Sequence, residues 1–207
     1  NITLNNYMNN HKLDIELWGF SGKSGVGKNY IAETLFVDKL TKKIQKNTLI
    51  MAFADHIKID MCIKDNFNYD DVYYNKNEDT RKAMQIYGTE NGRDKYGENI
   101  WLDALAFWMQ TYYDRGIRRF IITDVRFENE MMFVKKCGGT NIYVSAPNRI
   151  NNLQNNSGTD LHVSENSINT SSVDYIINND TEVTQEQLSS SIDDIINEIF
   201  NKTCKDT

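Results

Sequence analysis

The chain has one proline, three cysteines and three histidines in 207 residues, and its acidic side chains outnumber its basic ones, 29 to 23. These scarcities exclude several functional classes. Cys62, Cys137 and Cys204 show no CxxC spacing. They fit reduced thiols in a cytosol-like compartment, with buried structural roles rather than reactive ones. His11, His56 and His162 share no metal-ligand spacing. A formal charge of −6 argues against non-specific binding to nucleic acid or to a membrane surface. No apolar run approaches the roughly 20 residues of a membrane span. Residues 1–12 are polar and Asn-rich, and read as a tail with no secretory leader. The length fits one domain, or one domain with an insertion.

What the chain does have is the stretch Leu17-Trp18-Gly19-Phe20-Ser21-Gly22-Lys23-Ser24-Gly25-Val26-Gly27-Lys28-Asn29. The apolar run Ile15 to Phe20 predicts a strand. Ile31, Leu35, Phe36 and Leu40 predict a helix after it. Strand, glycine-rich turn and helix form the setting in which Gly22-x-x-x-x-Gly27-Lys28 works as a phosphate-binding (Walker A) loop. Backbone amides and the helix N-terminus face the anion, and Lys28 adds a full charge. Asn29 stands where Ser or Thr normally meets magnesium, and an amide is a poorer ligand for a hard cation. The competing reading is an ordinary glycine-rich βα turn with a stray lysine.

Further strands are predicted at Thr48–Phe53, Arg119–Asp124, Asn141–Ser145 and Val173–Ile177. Of these, Thr48–Phe53 reads as buried on both faces. Asp55 is placed to cap the next helix. Residues 65–79 read as a loop. A helix around 80–87 ends at Gly88, and residues 88–99 are polar and glycine-punctuated. Trp101, Leu105, Trp108, Met109 and Tyr112 repeat at helical spacing as core, with Trp101 kept open as a base contact. Residues 146–172, holding the only proline, Pro147, read as a long loop. Thr184 and Gln187 form a capping box for the closing helix. Strands alternating with helices predict a parallel five-stranded sheet covered on both faces, in the α/β class. Ligands on such a sheet lie beyond the carboxyl ends of its strands. There the chain places Gly22 to Lys28, then Asp55 and Lys58, then Asp124 and Arg126, then Arg149. Asp124 could organise a metal-bound water or orient Arg126, and Glu130 is spaced to pair with Arg126. A structural Asp–Arg–Glu group is the alternative. Arg81 and Gln85 share a helix face, with Arg93 beyond them.

Several ordered pieces add to the loop: Ala54-Asp55-x-x-Lys58, Arg81-Lys82-x-x-Gln85-x-x-Gly88-Thr89-Glu90-x-x-Arg93, Trp101, Asp124-Val125-Arg126-Phe127-x-Asn129-Glu130, Gly138-Gly139 and His162-x-Ser164-Glu165. Together they resemble the deoxynucleoside monophosphate kinases of large DNA phages and viruses, over about residues 15–190. The resemblance implies an adenylate-kinase-like P-loop domain over 13–203, with a monophosphate-binding helical region at 55–115 and a lid at 146–172. It implies transfer of the ATP γ-phosphate to a dNMP in the cytoplasm, with Mg2+ as cofactor and neither nucleic acid nor membrane as partner. Oligomeric state stays open. On this reading Gly22, Lys23, Ser24, Gly25, Val26, Gly27, Lys28, Asn29 and Arg149 bind ATP. Asp55, Lys58, Arg81, Gln85, Arg93, Trp101 and Arg126 meet the dNMP. Lys28, Arg126 and Asp124 carry the chemistry, and Asp124 touches the metal, if only through water. Three positions depart from the family pattern: Asn29 for Asp, Glu128 for a proline, and Ala146 for an arginine that Arg149 could replace.

The chemistry points the same way. A monophosphate is largely ionised at neutral pH, so cations matter more than a general base. The alternatives are a P-loop kinase of another small molecule, with Asp55 acting on a hydroxyl, and a nucleotide switch. Asn75-Lys76-Asn77-Glu78 resembles a guanine-reading NKxD only faintly.

Overall fold

The computed structural model describes residues 14–151 and 168–203. His11, His162, Ser164, Glu165, Cys204 and most of the expected lid lie outside them. The chain folds as two compact units, one from Asp14–Ile50 and Arg118–Thr207, the other centred on Met51–Ile117.

The first unit carries a five-stranded sheet in the order β2-β3-β1-β4-β5. Its strands are β1 (Glu16–Ser21), β2 (Thr48–Met51), β3 (Arg119–Val125), β4 (Thr140–Ser145) and β5 (Tyr175–Asn178). The β1/β3, β1/β4 and β4/β5 pairs are parallel. Leu17 to Ser21 are all buried, as a central strand covered on both faces requires. β2 corrects the expectation of a fully buried strand. It stops at Met51 and lies at the sheet edge, where Ile50 is 38% exposed.

The helix after β1, α1, spans residues 28–43. Its Tyr30–Phe36 stretch is wound in the wide π manner, and Val37–Lys43 is regular. Trp18 and Phe20 meet Phe36 edge-on, with ring centroids 5.5 and 5.1 Å away. Leu188, Ile192, Ile195 and Ile196 of the closing helix (Gln185–Thr203) complete this core. Its capping box forms as expected: Thr184 N donates to Gln187 Oε1 at 2.9 Å, and Gln187 N to Thr184 Oγ1 at 3.2 Å. Residues 147–151 are helical rather than looped, because Ala146 and Ile150 are buried against this core.

The second unit is helical. It contains α2 (Ala54–Lys64), α3 (Tyr69–Tyr73), α4 (Glu78–Gly88) and α5 (Ile100–Asp114) around Ile57, Met61, Val72 and Trp101. Residues 65–79 are therefore not one loop. Asn68 accepts from Asp70 N and Asn77 from Thr80 N, each at 2.8 Å, and these two caps start α3 and α4. The regular helix α4 ends at Gly88, as expected, but the helical winding does not. The φ of Gly88 is −68°, and the chain stays helical through a wide turn at Thr89–Arg93 and on to Tyr96. The stop is Gly97, whose φ of +105° suits glycine. The buried stripe of α5 is Trp101, Leu102, Leu105, Ala106 and Met109. Trp108, expected in the core, is 40% exposed, because the stripe is rotated toward Leu102 and the small Ala106. No helix among the described residues is long and apolar enough to cross a membrane.

Candidate functional site

β1 delivers the chain straight into Gly22–Gly27. Positive φ at Gly22 (+140°), Gly25 (+84°) and Gly27 (+83°) lets the backbone wrap tightly. A Cβ on Gly22 would stand 2.4 Å from Val144 O, so β4 also excludes a side chain there. Val26 is buried beneath the loop, while Ser24 and Gly25 face solvent. Lys28 folds back, and its Nζ donates to Gly22 O at 2.8 Å and Lys23 O at 3.2 Å. The ammonium is thus held against the loop by carbonyls that an anion can replace. Asn29 is exposed, and its Nδ2 donates to Glu33 Oε1 at 3.0 Å, one turn along α1.

β3 supplies the neighbouring groups. Ser21 pairs with Val125, so Asp124 and Arg126 flank the residue beside the loop's entry. Asp124 is half-buried and Arg126 exposed. Glu130, 2% exposed, holds the main chain here: its Oε2 accepts from Arg126 N at 2.7 Å and Phe127 N at 3.2 Å. The i, i+4 spacing therefore marks a turn that fixes the Arg126 backbone and starts the helix Glu128–Lys136.

The ends of β4 and β5 close the loop's other side. A Cβ on Gly27 would lie 3.6 Å from Arg149 Nη1, which brings the guanidinium to the loop. Asn179 Nδ2 donates to Val26 O at 2.8 Å. Asp180, 4% exposed, accepts from Asn148 N at 2.9 Å and, at its other oxygen, from Arg149 N at 3.0 Å and Thr181 N at 2.9 Å. Burial pushes the Asp180 carboxyl up, but these amides and the Arg149 charge outweigh it and hold the group below its ordinary value. Asn179 and Asp180 escape motif reading. The rule of strand carboxyl ends, applied to β5 as to the others, is the signal that finds them.

The remaining candidates belong to the helical unit. Lys58 is 9% exposed; its Nζ pairs with Asp55 Oδ1 at 3.0 Å and lies 4.4 Å from the Tyr73 ring centroid. Asp55 Oδ2 accepts from Ala52 N at 2.9 Å, so Asp55 acts from within the first turn of α2 instead of capping it. Burial, then the Asp55 charge, pushes the Tyr73 hydroxyl up to about 12. Arg81 is exposed on α4, with Gln85 half-buried one turn on. Arg93 ends the wide turn. Trp101 is 6% exposed, and its Nε1 donates to Gly88 O at 2.7 Å, so packing occupies the ring kept open for a base. Cys62 and Cys137 are free thiols, and burial pushes Cys137 up to about 11, away from reactivity. Among the described residues no group of three or more His, Cys, Asp or Glu side chains gathers as a metal site.

A family model described as deoxynucleotide monophosphate kinase matches residues 24–192. Among solved structures, an unliganded sugar kinase from Janibacter sp. HTCC2649 is similar at 14% identity, over 85% of this chain and 91% of that one, with a TM-score of 0.41. No curated protein matches the chain.

Proposed function

The chain belongs to the deoxynucleotide monophosphate kinase family, and from that membership we propose how its residues divide the work. The enzyme phosphorylates a deoxynucleoside monophosphate. The donor is ATP, held by the amides of Gly22–Asn29, by Lys28 and by Arg149. The observation that carries this reading is the glycine-shaped loop on the central strand with the Lys28 ammonium folded onto it.

The acceptor phosphate oxygen attacks the γ-phosphorus. The bond from that phosphorus to the β–γ bridging oxygen breaks, giving ADP and a dNDP. No base need remove a proton, since the acceptor is already largely ionised at neutral pH. The barrier is repulsion between anions, and positioned cations lower it. Lys58, Arg81, Arg93 and Arg126 take the acceptor phosphate and the transition-state charge. Lys58 exchanges Asp55 for that phosphate, and Asp55 and Gln85 are left to the sugar or base. Trp101 supports the turn that carries Arg93.

Magnesium binds such sites through one or two carboxylates plus phosphates and keeps several waters. Asp124 fits as that carboxylate, at the strand end beside the loop. When bound, the ion neutralises charge on the β- and γ-phosphates.

An ADP-release assay with ATP, magnesium and each common dNMP or NMP tests the reading. Release should require a monophosphate acceptor and stop when magnesium is chelated. Release driven by alcohols or sugars alone, or independent of any acceptor, contradicts it.

A further inference from the structure

We propose that Asn179 is a positioning residue for the donor triphosphate, acting from behind the loop through the Val26–Gly27 peptide. The proposal rests on reading Gly22–Lys28 as the ATP cradle.

One peptide plane holds the key geometry. The chain has no cis peptide among the described residues, so the Val26 carbonyl and the Gly27 N–H lie in one plane and point in opposite directions within it. Asn179 Nδ2 takes the Val26 oxygen at 2.8 Å. Only the amide nitrogen can donate to a carbonyl, so this bond also fixes which way the Asn179 side chain faces. With the oxygen pinned toward β5, the Gly27 N–H must face away from β5, the direction from which the cradle reading brings the phosphates.

Asn179 is well fixed for this task. It is 7% exposed, and its own N donates to Ser145 O at 2.8 Å, extending the ladder that pairs Ser145 with Asn178. It also crowds the loop, because a Cβ on Gly27 would fall 2.6 Å from Nδ2. Gly27 populates either sign of φ, so the sequence alone leaves this peptide free to flip. The bond from β5 removes that freedom. A flipped plane would aim a carbonyl at the phosphates in place of a donor.

The two substrates should respond differently to loss of this bond. In Asn179→Ala, ATP affinity by titration calorimetry should weaken about tenfold, the scale of one lost buried hydrogen bond. The KM for dNMP should stay within about twofold. Asn179→Ser, polar but too short to reach Val26, should behave the same way and serves if the alanine variant does not fold. Unchanged ATP affinity overturns the proposal. So does an equal weakening of both substrates, or failure of both variants to fold, since each makes Asn179 a purely structural residue. Lys28→Ala run alongside isolates the premise. If it leaves ATP affinity intact, the cradle reading fails. If it abolishes binding while the Asn179 variants bind normally, only the positioning role falls.

Discussion

Arg126 shows how a single residue is prepared for charge chemistry. It is exposed, yet its main chain is clamped by the buried Glu130 carboxylate, so its side chain starts from a fixed point at the end of β3. A planar guanidinium launched from a fixed backbone suits an anion that must be met at a set angle. Arg126→Ala should therefore lower kcat by roughly two to four powers of ten, the range for losing a main transition-state stabiliser. Steady-state kinetics with saturating ATP and dNMP check this, and wild-type turnover would remove Arg126 from the mechanism. The loop glycines and Lys28 were legible in the sequence because adjacent residues encode that geometry. The partner of Glu130 was half legible: spacing indicated contact with Arg126 but not that the backbone is what it holds. Asn179 was invisible to motif reading, since its partner Val26 lies 153 residues away.

At the scale of elements, the helical run from Glu78 to Tyr96 depends on a tryptophan outside it. The wide turn at Thr89–Arg93 displaces the regular hydrogen bonding, and Trp101 Nε1 takes up Gly88 O. Gly92 lets the indole lie flat, for an added Cβ would come within 2.3 Å of Trp101 Cζ2. Two effects oppose each other in Gly92→Ala. Alanine is the better helix former by about 1 kcal/mol. Overpacking against a rigid buried ring costs about 1–3 kcal/mol, and at this distance the clash should win. Urea unfolding should show net destabilisation in the native background and a smaller loss or a gain in Trp101→Leu, where the ring is gone. Equal effects in both backgrounds would deny the contact. This explains why the sequence placed the end of the regular helix at Gly88 but not the winding that continues to Tyr96. Gly88, Gly92 and Gly97 look alike in a polar stretch, and only the ring packed on Gly92 and the positive φ of Gly97 tell them apart. The strand order, likewise, follows from crossovers that local periodicity does not encode, whereas the five strands themselves were readable as apolar runs.

Across the whole molecule the net charge is −6, so cations for two anionic substrates must be concentrated locally. The candidates fall into separate parts of the chain. Gly22–Asn29, Asp124, Arg126 and Arg149 belong to the sheet unit, and Asp55, Lys58, Arg81, Gln85 and Arg93 to the helical unit. If each unit serves one nucleotide, mutational effects should sort by unit. Arg81→Ala and Arg93→Ala should each raise the KM for dNMP by about tenfold or more, as expected for losing a charge-assisted phosphate contact. Both should leave the calorimetric ATP affinity near the native value. Arg149→Ala should do the reverse. Arg126 is the instructive exception: assigned to the transferring phosphate, it should lower kcat more than it alters either binding constant. Three outcomes from three classes of residue cannot arise from general destabilisation, which would move all constants together. A loss of ATP affinity in the Arg81 or Arg93 variants would break the division between the two units.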